Sequence, residues 1–255
     1  MHPEAPILEF DPAALAILNP PAVPLTEPSV QRCVLCFFQD VIDALKNEGA
    51  LRQIGRLRSE IGDNPIYFFQ QGETPILLVH PGVGAPLAAG FLEELIALGV
   101  NRFIACGGCG VLDQQIAAGH PVILQAAVRD EGTSYHYLPP AREVSAHPQA
   151  TAALQAVLEE SGLPFLIGKA WTTDAIYRET NARRAARLQD GCQVVEMEAA
   201  AFFAVAQFRQ VIFGQVVYGG DLVVPEGWDG RGWHKRGDDR ALLLRLALSA
   251  CARLA

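Results

Sequence analysis

Between residues 194 and 203 the chain runs Val194-Val195-Glu196-Met197-Glu198-Ala199-Ala200-Ala201-Phe202-Phe203, which sets two carboxylates where an apolar strand-like run passes into an apolar helix-like one. Taking a carboxylate out of water is costly unless a counter-charge or hydrogen bond replaces the lost solvation. Two readings follow for Glu198. It lines a pocket whose ligand supplies hydroxyl groups, as a sugar does, or it is a first-turn acid favoured by the helix dipole. Glycines recur after two other apolar runs, as Gly82-Val83-Gly84 and Gly107-Gly108-Cys109-Gly110. Glycine lets the backbone approach a ligand closely and adopt positive φ, so such bends can aim N–H groups at an anion or a heterocycle. An ordinary tight turn uses the same residue. Asp221 follows Gly219-Gly220 after the apolar run ending at Tyr218. An acid there could protonate a leaving group or simply form a turn.

These residues need a scaffold. Apolar runs at 33–38, 66–69, 76–80, 102–106, 121–128, 165–171, 193–197 and 211–218 are continuous rather than alternating, as in strands covered on both faces. Helix-like segments at 40–48, 86–98, 148–161, 177–188, 197–208 and 240–254 fall between them. The interleaving predicts an α/β fold, a three-layer sandwich with a central mixed, largely parallel sheet. Ligands of open α/β sheets settle at the carboxyl ends of strands, where the glycine bends and Asp221 fall. Residues 1–255 are expected to form a single domain.

A net charge of −8 argues against a nucleic-acid partner, which calls for a basic face. No apolar run reaches membrane-spanning length and residues 1–4 do not resemble a leader, so no membrane partner and a cytoplasmic location are expected. Cys33-x-x-Cys36 and Cys106-x-x-Cys109 have the spacing of a four-thiolate zinc site. Cys33 and Cys36, however, sit in an apolar strand-like run where a period of two turns them to opposite sides. Buried free thiols, with no metal, are the expectation.

The Met197-Glu198 segment resembles the ribose-binding segment of the purine nucleoside phosphorylase and uridine phosphorylase superfamily. Four further segments follow in that family's order: Gly82-Val83-Gly84-Ala85-Pro86, Gly107-Gly108-Cys109-Gly110, Thr172-Thr173-Asp174-Ala175-Ile176-Tyr177 and Gly219-Gly220-Asp221. The resemblance covers about residues 65–222 and implies cleavage of a nucleoside's N-glycosidic bond. It gives Glu198 the sugar hydroxyls, Met197 the underside of the sugar, and Asp221 the departing base. Gly84, Gly108, Cys109 and Gly110 would contact the substrate, and His136 would approach the sugar. It implies no cofactor beyond inorganic phosphate as a co-substrate, and a homo-oligomer, dimer or hexamer.

The departures bear on the reaction. Family phosphorylases carry a Gly-Asp-Pro-x-Arg loop near the N-terminus and an Arg in the strand before the glycine loop. Here no such loop precedes residue 60, and Ala105 stands at the strand position. Fixed guanidinium donors serve a bound phosphate well, so these absences weaken phosphorolysis. Arg56 or Arg58, donated across a subunit interface, are the remaining phosphate candidates; the alternative for Arg52, Arg56 and Arg58 is a solvated helix face. The uracil-recognising Gln and Arg are also missing from Arg178-Glu179-Thr180-Asn181, which favours a purine over uridine. Phosphate transfer leads, hydrolysis by water stands close behind, and a non-catalytic nucleoside-binding protein is the third reading. The segment Trp228 to His234 is read as a flap over the pocket or as a surface loop.

Overall fold

The computed structural model describes residues 5–21 and 30–255. In strand β1 (Arg32–Cys36) the side chains alternate between two cores, Cys33 and Leu35 on one side, Val34 and Cys36 on the other. That is the period a strand covered on both faces must show. β1 runs parallel to β4 (Thr74–Val79) and to β5 (Arg102–Val111). β4 pairs antiparallel with β3 (Gly62–Gln71), which pairs with the edge strand β2 (Arg52–Ser59).

Beyond β5 the sheet curls. β5 pairs parallel with β10 (Ile212–Val224) and antiparallel with β9 (Cys192–Glu196). β10 joins β6 (Pro121–Asp130), β6 joins β8 (Leu166–Thr173), and β8 joins β9. This circuit returns to β5, so five strands close into a small barrel that leaves no free edge at the site. Short strands β7 (Glu143–Ser145) and β11 (Gly227–Asp229) extend β6 and β10.

Helices α2 (Ala85–Ala97) and α5 (Ala199–Arg209) pack on one side through Phe91, Leu92, Phe202 and Phe203. Helices α1 (Gln39–Asn47), α3 (Pro148–Ser161) and α6 (Gly237–Ala252) cover the other through Ile42, Leu154 and Leu244. The α/β sandwich with a mixed sheet is therefore observed, with barrel closure added to it. α5 is buried from Ala199 to Ala206, as a helix apolar all round must be. Helix α4 (Asn181–Gln189) has no buried residue and lies outside β9. No helix among the described residues is long and apolar enough to cross a membrane.

Four local expectations change. Gly107 to Gly110 are not a loop: β5 continues through them, stitched to β10 and β9. Asp221 lies within β10, at an irregularity between Gly219 and Leu222, rather than at its end. Residues 52–58 form a strand, not a helix face; the hairpin partner β3 supplies the hydrogen bonds that make it one. The helix expected at 177–188 begins only at Asn181, where Thr180 caps it by accepting the Arg183 amide at 3.4 Å.

Candidate functional site

At the carboxyl end of β9 the chain turns directly into α5. Glu196 closes that turn by accepting the Glu198 and Ala199 amides at 2.8 and 2.6 Å and the Thr172 hydroxyl. The first amides of a helix have no partner inside it, so Glu196 serves as its cap. Thr172 in turn accepts the Ala200 amide at 3.0 Å. With Glu196 so occupied, Glu198 is left to face outward from the turn. Its Oε1 accepts the Gly84 amide at 2.6 Å. Both carboxyls are buried, and Met197 between them is half-buried.

Burial pushes Glu198 up to about 8, reinforced by the charge of Glu196 and opposed by the Gly84 and Met197 amides. Burial also raises Glu196, to about 7, against its hydroxyl and amide donors. The richer set of donors on Glu196 favours its ionised form, so Glu198 takes up a proton first.

The Gly84 amide is aimed by the loop between β4 and α2. Gly82 and Gly84 have φ of 76° and 91°, values that favour glycine. A Cβ on Gly82 would lie 2.4 Å from Leu87. His80, at the end of β4, holds this loop: its Nδ1 accepts the Gly82 amide at 3.0 Å, and its ring also hydrogen-bonds the Phe37 backbone. Burial lowers the pKa of His80. The Phe37 ring stands 6.0 Å from the His80 ring and 6.4 Å from that of Phe202, and 3.1 Å from where a Gly107 Cβ would be.

Farther along β5, Cys109 is buried and its thiol donates to the Tyr218 carbonyl at 3.3 Å. Burial first, then the charges of Asp221 and Glu196, push this thiol far above its usual value, so it is a neutral wall and no nucleophile. Cys109 pairs with Gly219 of β10, while its neighbour Gly110 pairs with Val195 of β9, so β5 carries it between the strand that leads to Glu196 and the one that bears Asp221. A Cβ on Gly110 would lie 3.5 Å from Asp221 Oδ2, which accepts the Trp228 indole N–H at 2.7 Å. The segment after β10 thus folds back as a hairpin onto Asp221. Arg231 fastens it by donating to the carbonyls of Gly220 and Ile116 at 3.0 and 2.9 Å. Glu179 is the second carboxyl here, half-buried and raised to about 7 by burial and by the charge of Asp221.

Other candidates lie apart. His136 is exposed in the turn Thr133–His136, while Glu131 in the same segment is buried and accepts the Ser134 amide at 2.8 Å. Gly108 packs by the Tyr218 ring. Arg56 and Arg58 sit on the edge strand β2, both near Asp63, at 2.9 and 3.9 Å. Ala105 is wholly buried. The four thiols of the two CxxC pairs are divided between cores, Cys33 and Cys109 on one side and Cys36 and Cys106 on the other, so they do not converge. A cavity of about 490 Å³ lined by Leu112, Arg184, Cys192, Gln193, Val224 and Glu226 includes none of Glu198, Gly84 and Asp221.

This arrangement can be set beside known proteins. Residues 31–237 match the model of the phosphorylase superfamily. The chain belongs to that family. It is 33% identical over 174 residues to a uridine phosphorylase of Treponema pallidum, covering 62% of this chain and 67% of that protein. To a guanosine phosphorylase of Halorubrum lacusprofundi it is 31% identical over 145 residues, 56% of this chain and 59% of the relative. The matches therefore span about two thirds or less of these relatives' length. In fold it is similar to a purine nucleoside phosphorylase of Toxoplasma gondii solved with immucillin-H, with a TM-score of 0.76 and 21% identity over 88% of this chain and 91% of that one.

Thr172, His80, Phe37 and Glu179 join this region without having been singled out for it from sequence. Thr172 and Glu179 stood inside or beside a quoted motif. His80 and Phe37 carried one available signal, a polar or aromatic residue closing an apolar strand. Trp228 and Arg231 fall in the segment read as a flap or a surface loop; the hairpin of β10 and β11 brings them back to Asp221 and Gly220, which the sequence alone does not fix.

Proposed function

We propose that the protein cleaves the N-glycosidic bond of a nucleoside, a purine nucleoside in preference to uridine. The observation that carries this reading is the buried Glu198 carboxyl, held at 2.6 Å by the Gly84 amide, with Asp221 set beyond Cys109. Glu198 takes the sugar hydroxyls over half-buried Met197. In its ionised form, which its raised pKa of about 8 makes dominant above that pH, Glu198 is stabilised more as the sugar becomes cation-like than in the ground state, which is the differential interaction that lowers a barrier. Asp221 faces the departing base near Gly110, oriented by the Trp228 indole, and supplies the proton or hydrogen bond that the base needs as it gains charge. Gly84, Cys109 and Gly110 form the walls, Gly108 takes part only through its backbone because its Cβ side is filled by the Tyr218 ring, and His136 approaches the sugar only if its turn closes over the cleft.

Phosphate is the acceptor that the relatives' names imply, with water the alternative; no cofactor enters either reaction. Arg56 and Arg58 reach a sugar site only across an interface between copies of the chain, in a dimer or hexamer. Incubation with a panel of purine and pyrimidine nucleosides, followed by assay of the free base, tests the reading. Release of base from purine nucleosides is expected, and release from none of the panel would defeat it.

A further inference from the structure

We propose that Arg231 is a positioning residue for Asp221: its guanidinium holds the bulge in β10 that brings the Asp221 carboxyl to the Gly110 side of the sheet, and so sets how well a departing base is served. The inference rests on the reading of Asp221 as the group that meets the base. From Gly219 to Leu222 β10 advances three residues, while its partner β5 advances two, from Cys109 to Val111. One extra residue on one strand is a β-bulge, and it moves the side chains beyond it to the face opposite the one an unbroken register gives. Unbroken, Asp221 would oppose Val111 and share its face. With the bulge it joins Val223 on the Gly110 side, where a Cβ on Gly110 would lie 3.5 Å from Asp221 Oδ2 and 3.3 Å from Val223 Cγ2. The same shift matches Asp221 to the hairpin. Trp228 pairs with Val223, and its indole N–H reaches back to Asp221 Oδ2 at 2.7 Å.

A bulge interrupts the ladder, so the carbonyls at it must be met from elsewhere. The Gly219 carbonyl accepts the Gly119 amide at 2.8 Å. Arg231 takes the next two: its Nε donates to the Gly220 carbonyl at 3.0 Å and its Nη2 to the Asp221 carbonyl at 3.4 Å, while Nη1 donates to Ile116 at 2.9 Å. A guanidinium is a rigid fork that can span three carbonyls; the ammonium of a lysine is a point donor that cannot. The bulge is closed from its other sides as well, since a Cβ on Gly220 would lie 3.1 Å from the Cys109 carbonyl oxygen and 3.4 Å from Trp233 Cβ. To reach it Arg231 adopts a φ of 41°, a conformation that side chains disfavour. Gln210, the other non-glycine residue of positive φ among the described residues, ends α5 as its C-cap. Arg231 ends no helix. Its amide donates to Asp229 Oδ1 at 2.9 Å, and what this strained turn achieves is to aim the guanidinium at the bulge.

The test uses the full chain with Arg231→Gly, which relieves the backbone and removes the fork, and Arg231→Lys, which keeps the charge and the bulk of the side chain. The first readout is the indole N–H resonance of Trp228 in nitrogen–proton NMR spectra, assigned by its loss in Trp228→Phe. In either variant it should move toward the position of a water-exposed indole, because Asp221 is no longer held where it accepts that N–H. A resonance that stays at its wild-type position overturns the proposal, whether or not any nucleoside is cleaved. The second readout is turnover of purine nucleosides with good and poor leaving bases. With Arg231→Gly kcat should fall on the order of 100-fold for poor leaving bases, the scale of a misplaced catalytic group, with KM little changed and good leaving bases hurt least. Added to Asp221→Asn, the same substitution should cost little more, since both remove one aligned carboxyl. A full second loss would return Arg231 to a fastener of the hairpin. A wild type that cleaves no nucleoside defeats the reading of the site and leaves the resonance to decide the role of Arg231.

Discussion

The Gly84 amide and the Glu198 carboxyl, 114 residues apart in sequence, meet at 2.6 Å and tie the first turn of α2 to the entry of α5. Glu198→Gln keeps an acceptor for Gly84 and removes only the ability to ionise. If Glu198 serves a cation-like sugar, kcat/KM measured above about pH 8, where the wild-type carboxyl is ionised, should fall roughly 10- to 100-fold, the scale of a lost charged hydrogen bond, with a smaller loss at lower pH. The thermal midpoint should hold or rise, because a buried ionisable group has been removed. Unchanged kinetics would make Glu198 a structural residue of the turn.

Stability should depend on pH through the same pair. Glu198 and Glu196 are raised to about 8 and about 7, above their usual 4.5. The folded state thus holds protons that the unfolded state has released, and stability from these groups is complete below about pH 4.5. It is lost as pH rises through 7 to 8, where ionisation must occur in a buried setting. Denaturant unfolding at pH 6 and pH 9 should therefore show a smaller loss of stability for Glu198→Gln than for the wild type. An equal loss in both would mean that Glu198 is ionised across the range.

Much of this scaffold was legible in the sequence because continuous apolar runs such as 121–128 and 211–218 leave little choice but a doubly covered strand. The helix at 148–161 was legible to its ends, since Pro148 starts it and Gly162 ends it with φ of 69°. Residues 52–59 were not: their alternating Arg side chains mimic a polar helix face, and only pairing with 62–71 makes them a strand. The carboxylates of the site could be found from an apolar strand-helix junction. Their division of labour could not. Glu196 and Glu198 have the same side chain two positions apart, and the donors that make one a cap and leave the other facing the cleft come from Thr172 and Gly84, distant in the chain.

Thr172 is buried, donates to Glu196 and accepts from the Ala200 amide, so Thr172→Val should leave two partners unsatisfied. A cost of about 1–3 kcal/mol is expected from chemical denaturation. Combined with Glu196→Gln the two losses should fall short of their sum, since both act on the same cap. Strict additivity would show that the threonine and the carboxyl are not coupled.

Asp221 and Glu179 offer the last test, because the charge of Asp221 raises Glu179 while their partners differ. Asp221 is oriented by the Trp228 indole; Glu179 is half-buried and raised to about 7. If Asp221 serves the departing base, Asp221→Asn should lower turnover much more than ground-state binding, since proton donation matters mainly in the transition state. Nucleosides whose base leaves easily should be hurt least. Glu179 is protonated below about pH 7 and ionised above it, and its charge there disfavours a nearby base that is itself gaining negative charge. The wild-type rate should therefore decline as pH passes 7, and Glu179→Gln should remove that decline while leaving the leaving-group dependence of Asp221→Asn in place. Equal losses on good and poor leaving groups would return Asp221 to the role of a strand irregularity held by Trp228.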